Sequence, residues 1–228
     1  SAVRDLNTLR NVWEAVGGGD VWEGVKPGRA RVKSERARRF RRLDGEELQR
    51  IVAVAEGEPR CAIVIAYWTA LRLKDVLGLR REYLVDGGTV LEVVPGKTEW
   101  SKQVPLRIPV SVELAEMLAG LPAEGALLPG LKKRGGGLVS KDMTALLRSV
   151  GVENDRRGTA GFHSLRTTFI SLMDEAGVPP HVTDSLTGHA RQGMHGRYSQ
   201  PGMAAKREAI ERALGRLLKP PSLRGLAW

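Results

Sequence analysis

Apolar residues at Val3, Leu6, Leu9, Val12 and Val16 fall near one face of a helix over residues 1–16. The run Gly17-Gly18-Gly19-Asp20 ends it, and no apolar periodicity follows before Leu43. Residues 17–42 therefore read as a linker. A short helix before a linker reads as the end of a domain whose remainder lies outside this sequence. At Asp44 and Glu47 the spacing is that of a capping box, opening a helix through "EELQRIVAVAE". Pro59 opens a second, mostly buried helix through "CAIVIAYWTALR", and "LKDVLGLR" continues as a third. The pattern then changes. "DGG" between two short apolar runs marks a hairpin, and "PGKTEWSKQ" is a longer turn into the strand "VPLRI". Three antiparallel strands result.

From Ser111 the helical pattern returns, with Ser111 and Ser140 as expected N-caps and "GLPAEGALLPGLKKRGGG" as a loop between them. "HSLRTTFISLMDEAGV", "PPHVTDSLTG" and a last helix over Met203–Leu218 complete the pattern. On the last helix, Ile210, Leu214, Leu217 and Leu218 share roughly one side, suited to docking on the same chain or on a neighbouring copy. The expected class is α+β: mainly helical with a small three-stranded antiparallel sheet. The expected organisation is 1–16 as the end of an N-terminal domain, 17–42 as linker, 43–200 as the main domain, and 201–228 as C-terminal helix and tail.

Composition narrows the function. The 228 residues carry a formal charge of +10, and the isoelectric point near 10.2 points to an anionic partner, nucleic acid before membrane surface. Between Lys26 and Arg42 stand nine Lys/Arg against the single acid Glu35. Lys26, Arg29, Arg31, Lys33, Arg36, Arg38 and Arg39 suit a strap along phosphates, each contact releasing counterions. The longest apolar run, "CAIVIAYWTAL", is too short to span a bilayer. One cysteine, Cys61, allows no internal disulfide, which fits a reducing cytoplasmic setting.

Five stretches carry candidate chemistry. Arg72 stands at a helix junction after the buried run, and Lys97, with Lys102 behind it, lies in a β-turn. His163 and Arg166 open a helix, His189 follows "TG", and Tyr198 comes nine residues later. No acid cluster or cysteine pair calls for a metal, and no cofactor is implied. Two guanidinium forks match the oxygens of a phosphodiester and can neutralise a five-coordinate phosphorus. A tyrosine with a pKa of about 10 needs flanking cations and a base to become a nucleophile at neutral pH. A basic alkoxide leaving group needs an acid, which a turn lysine can supply. Tyr67, inside the apolar helix, reads as core, Tyr83 as packed near the sheet, and His181 and His195 as structural or surface groups.

The order Arg, Lys, His-x-x-Arg, Gly-His, Tyr resembles the tyrosine recombinase (phage integrase) family. It does so from about Leu43 to Gln200, in "TALRLKDVLGLR", "GKTEWSKQVPL", "HSLRTTF" and "LTGHARQGMHGRYSQ". The resemblance implies that Arg72 and Arg166 clamp the scissile phosphate, and that His189 adds a hydrogen bond. It implies that Lys97 protonates the leaving 5′-oxygen, His163 exchanges a proton with the tyrosine, and Tyr198 attacks to leave a 3′-phosphotyrosine. Asp75 matches an acidic position that supports the site. Thr167 stands where many relatives carry a second histidine, and the last motif is glycine-rich where they commonly show "LGHSS". The implied protein is a site-specific recombinase of double-stranded DNA from a phage or mobile element, a homotetramer on DNA and a monomer in free solution. A type IB topoisomerase and a non-catalytic basic DNA-binding protein are the alternatives.

Overall fold

Asp44 opens the first helix of the computed structural model, which describes Trp13, Gly17 and residues 40–94, 96, 105–188 and 201–215. The Asp44 carboxylate accepts from the Glu47 amide at 2.8 Å, and the Glu47 carboxylate accepts from the Asp44 amide at 3.0 Å. The capping box is complete, and α1 spans Gly45–Val54 with Leu48, Ile51 and Val52 inward. Glu47 does a second job. Both its oxygens take hydrogen bonds from the buried Arg41 guanidinium, at 2.7 and 2.9 Å, while Arg41 Nε donates to the Glu153 carbonyl. The chain divides into two units, Ser1–Arg39 and Phe40–Trp228. The second thus begins inside the stretch that reads as linker. In the first, Trp13 is helical.

Helix α2, Gly57–Thr69, is buried from Arg60 onward, as a helix apolar on every side must be. It stops at Ala70, which takes a left-handed φ of 54°, so the helix ends before Arg72 instead of running through it. Helix α3 then spans Leu73–Leu77. Strands β1 (Leu84–Val85), β2 (Val90–Val93) and β3 (Leu106–Pro109) form the expected antiparallel sheet in the order β1-β2-β3. Its register sets Leu84 against Leu91 and Leu91 against Ile108. Tyr83, expected to pack against the sheet, is instead exposed in a 3₁₀ turn just before it.

Ser111 caps α4 (Val112–Ala119) by accepting from the Leu114 amide. The expected loop after it is partly helical. Helix α5 spans Pro129–Arg134, and α6 runs Gly136–Ser149, placing Ser140 inside a helix and not at its cap. Two causes override the local signals. Glu58, distant in sequence, offers its carboxylate to the Gly130 and Leu131 amides at 2.9 and 2.6 Å, capping α5 from outside. Val139, Met143 and Leu147 bury one stripe of α6 and offset the low helix propensity of its glycines.

Helices α7 (His163–Glu175) and α8 (Pro180–Thr187) follow, and α9 (Met203–Leu214) lies on α7 and β3 of its own chain. Lys206 is buried and donates to the Arg107 carbonyl on β3 at 3.0 Å, and the Tyr67 hydroxyl donates to the Leu214 carbonyl at 3.0 Å. Ile210 and Leu214 are buried there, whereas Leu217 and Leu218 lie outside the described residues. Among the described residues, no helix is long and apolar enough to cross a membrane.

Candidate phosphate-binding site

Arg166 sits on the first turns of α7, between the buried Leu165 and Phe169. Its own side chain is buried too, with the residue only 3% exposed. A charge so placed needs partners, and the backbone supplies them. Arg166 Nη1 donates to the Ala70 carbonyl at 2.7 Å, and Nη2 donates to the Thr187 carbonyl at 2.7 Å. One guanidinium fork thus ties together the end of α2, the start of α7 and the end of α8.

Each carbonyl is available because its helix ends in a left-handed residue. At Ala70 the positive φ ends α2 and aims the chain into α3, leaving Arg72 half-buried at the N-cap position of α3. An alanine there carries strain that a glycine would not. At Gly188 φ is 69°, which favours glycine, and a Cβ would lie 3.2 Å from Leu106 Cδ1 on β3, so that side chain would have to give way. The Gly188 amide closes the end of α8 on the Asp184 carbonyl at 2.9 Å.

The electrostatics agree. The pKa of Arg166 falls below its ordinary value to about 10, through burial first and the charge of Arg72 second, with Asp75 acting the other way. Arg166 therefore lies within the fields of both Arg72 and Asp75. Two cations brought close in a low-dielectric setting favour an anion between them. Asp75 also has a structural partner: its Oδ1 accepts from the Gly96 amide at 3.1 Å. That bond pins the β2–β3 turn to α3 at the residue immediately before Lys97.

His163 lies one turn before Arg166 and is half-buried. Its ring packs against Phe40 with centroids 5.0 Å apart and planes inclined by 55°. Of the residues singled out in the sequence, Arg72, Asp75, His163 and Arg166 are described, and Arg166 is linked to Arg72 and Asp75 as above. Lys97, His189 and Tyr198 lie outside the described residues, as do Lys102, Lys26, Arg29, Arg31, Lys33, Arg36, Arg38 and Arg39. The sequence reading missed Ala70, Thr187, Gly96 and Phe40. The "TG" after α8 signals a helix end, but nothing local announces that the Thr187 carbonyl receives an arginine.

This is a helical fold with a small antiparallel sheet in which Arg72 and Arg166 act on one another electrostatically. The chain matches the phage integrase family over residues 41–204 and belongs to that family. It is 30% identical over 156 residues to the tyrosine recombinase XerC of Methylobacterium sp. (strain 4-46), covering 66% of this chain and 48% of that one. It thus spans about half the length of that relative. The integrase of mycobacterium phage Brujita has a similar fold, with a TM-score of 0.63 at 20% identity, over 82% of this chain and 63% of that one. A lambda integrase tetramer bound to a Holliday junction gives a TM-score of 0.54 at 20% identity, over 71% of this chain and 48% of that one.

Proposed function

We propose that this chain is the strand-cleaving and rejoining part of a site-specific DNA recombinase. The single observation that carries the reading is the buried Arg166, fixed by two backbone carbonyls and lying within the field of Arg72. Folding has already ordered this fork, so little reorganisation remains when a phosphate binds. The phosphate also relieves the repulsion between the two arginines, and it does so most when the phosphorus becomes five-coordinate and more negative.

In this reading Arg72 and Arg166 clamp the scissile phosphate and His189 adds a hydrogen bond. His163 takes the phenol proton as Tyr198 attacks. Lys97, on the turn that Asp75 pins through Gly96, delivers a proton to the departing 5′-oxygen. The product is a 3′-phosphotyrosine and a free 5′-hydroxyl. Because a phosphoester replaces a phosphoester, a second 5′-hydroxyl reseals the strand without ATP.

The substrate is double-stranded DNA, with Lys102 and the basic residues between Lys26 and Arg39 on its phosphates. The chain works in the cytoplasm of a bacterial, archaeal or phage-infected cell. It is a monomer in free solution and a homotetramer on DNA, since exchange between two duplexes needs four cleavages. The lambda integrase tetramer on a Holliday junction supports that assembly by analogy of fold. Family membership favours this reading over a topoisomerase or a passive DNA-binding protein.

A nicked duplex, enriched for binding from a random-sequence pool, tests the proposal. The wild-type chain should form an SDS-resistant adduct linked through Tyr198. Tyr198→Phe should bind the same duplex and form none. Equal adduct formation by the variant, or tight binding by the wild type with no adduct, would refute it.

A further inference from the structure

Phe40 belongs to none of the motifs above, yet its ring touches the histidine of the site. The two centroids are 5.0 Å apart and the planes are inclined by 55°, a tilted aromatic contact. The backbone around Phe40 is fixed independently. Phe40 bridges to Thr159 in parallel, and the Arg41 amide donates to the Thr159 carbonyl at 3.0 Å. The next side chain, Arg41, is buried in its ion pair with Glu47 and holds the Glu153 carbonyl. Phe40 therefore stands on a rigid base, beside the loop that leads into α7.

That loop is shaped to admit the ring. A Cβ on Gly161 would lie 3.2 Å from Phe40 Cε1, tighter than the packing allows without movement. Gly161 is itself tied down, donating to the Ser164 hydroxyl while its carbonyl accepts from the Ser164 amide. The packing thus leaves a slot whose floor is Gly161 and whose neighbour is the His163 imidazole. On the α7 side, Arg166 and its carbonyl partners fix the helix that carries His163. The imidazole is held from both ends, by its helix and by the Phe40 ring.

We propose that Phe40 is a positioning residue of the cleavage reaction, holding the His163 imidazole in the plane from which it exchanges a proton with the nucleophile. The inference rests on the function proposed above. Proton transfer requires the base within hydrogen-bond reach of the hydroxyl, and a small displacement costs rate heavily. An imidazole has two ring-flip orientations and several rotamers, and an aromatic wall on one side restricts them. Phe40 is also the first residue after the basic Lys26–Arg39 run. It thus links, within one stretch of chain, a segment proposed to lie on DNA phosphates to the proton-transferring group.

The test combines two readouts on the 228-residue chain. In proton NMR the His163 Hε1 resonance, assigned through His163→Gln, should show a ring-current displacement. Phe40→Leu should abolish that displacement and Phe40→Tyr should preserve it. On the nicked duplex enriched from the random pool, Phe40→Leu should slow adduct formation at saturating protein about tenfold or more. Its affinity for the duplex should stay within about twofold, and Phe40→Tyr should recover most of the rate. A folded Phe40→Leu chain with an unaltered His163 resonance, or with the wild-type rate, would overturn the proposal. If the wild-type chain binds the duplex and forms no adduct, the proposed function falls and this inference falls with it. Adducts formed equally fast by wild type and Phe40→Leu remove the inference alone.

Discussion

Replacing Arg166 by lysine keeps the buried positive charge but exchanges a planar fork for a single ammonium. In the wild type two different nitrogens serve the Ala70 and Thr187 carbonyls, each at 2.7 Å. A lysine has one nitrogen where two are used, and losing one of the two bonds costs roughly 1–3 kcal/mol. At roughly 2–4 °C per kcal/mol for a chain this long, the midpoint of thermal unfolding should fall by roughly 2–12 °C. Arg166→Met separates bridge from charge. It removes the bond to each carbonyl, roughly 2–6 kcal/mol. It also removes a charge whose pKa burial and the neighbouring Arg72 together bring down to about 10, a penalty of roughly 3 kcal/mol carried through the whole neutral range. The two effects largely offset, so the methionine chain should lie within about 3 kcal/mol of wild type. Both variants should lose adduct formation. Thermal unfolding followed by circular dichroism, beside the adduct assay, reads both effects. A lysine variant that unfolds at the wild-type temperature would show that the fork does not hold the three helix ends together.

Three further outcomes are expected. The Arg41 guanidinium holds the Glu47 carboxyl below its ordinary range, so the stability it contributes is full above the unfolded value of about 4.3 and is lost as pH falls through the folded one. Urea midpoints measured from about pH 6 to about pH 3 should therefore drop less steeply for Glu47→Gln than for wild type; parallel curves would contradict this. Tyr67→Phe should cost about 1 kcal/mol by freeing the Leu214 carbonyl at the end of α9, and an unchanged urea midpoint would count against that bond. Asp75→Ala should slow adduct formation about tenfold while Asp75→Asn, which keeps an oxygen for the Gly96 amide, should retain most of the rate; identical rates in the two variants would dissociate the tether from the chemistry.

Local chemistry made much of the fold legible. The Asp44–Glu47 pair, the all-apolar α2, the "DGG" turn and the α7 start at His163 are encoded within a few residues of where they act. The failures share a cause. Helix α5 falls in a stretch that reads as loop because its cap is Glu58, far away in sequence, and Ser140 reads as a cap although it lies inside α6. The site divides in the same way. Residue types and order single out Arg72, His163 and Arg166 as candidates, and the family resemblance adds Asp75. The carbonyls that hold Arg166 and the ring against His163 arise from packing between segments, which no spacing rule expresses.

The berth of α9 fixes how the described chain resumes at Pro201. Just beyond, Lys206 and Leu214 moor the helix to β3 and α2. Lifting α9 from this seat, as any exchange of the helix between copies demands, means slipping those moorings and wetting Ile210 and Leu214.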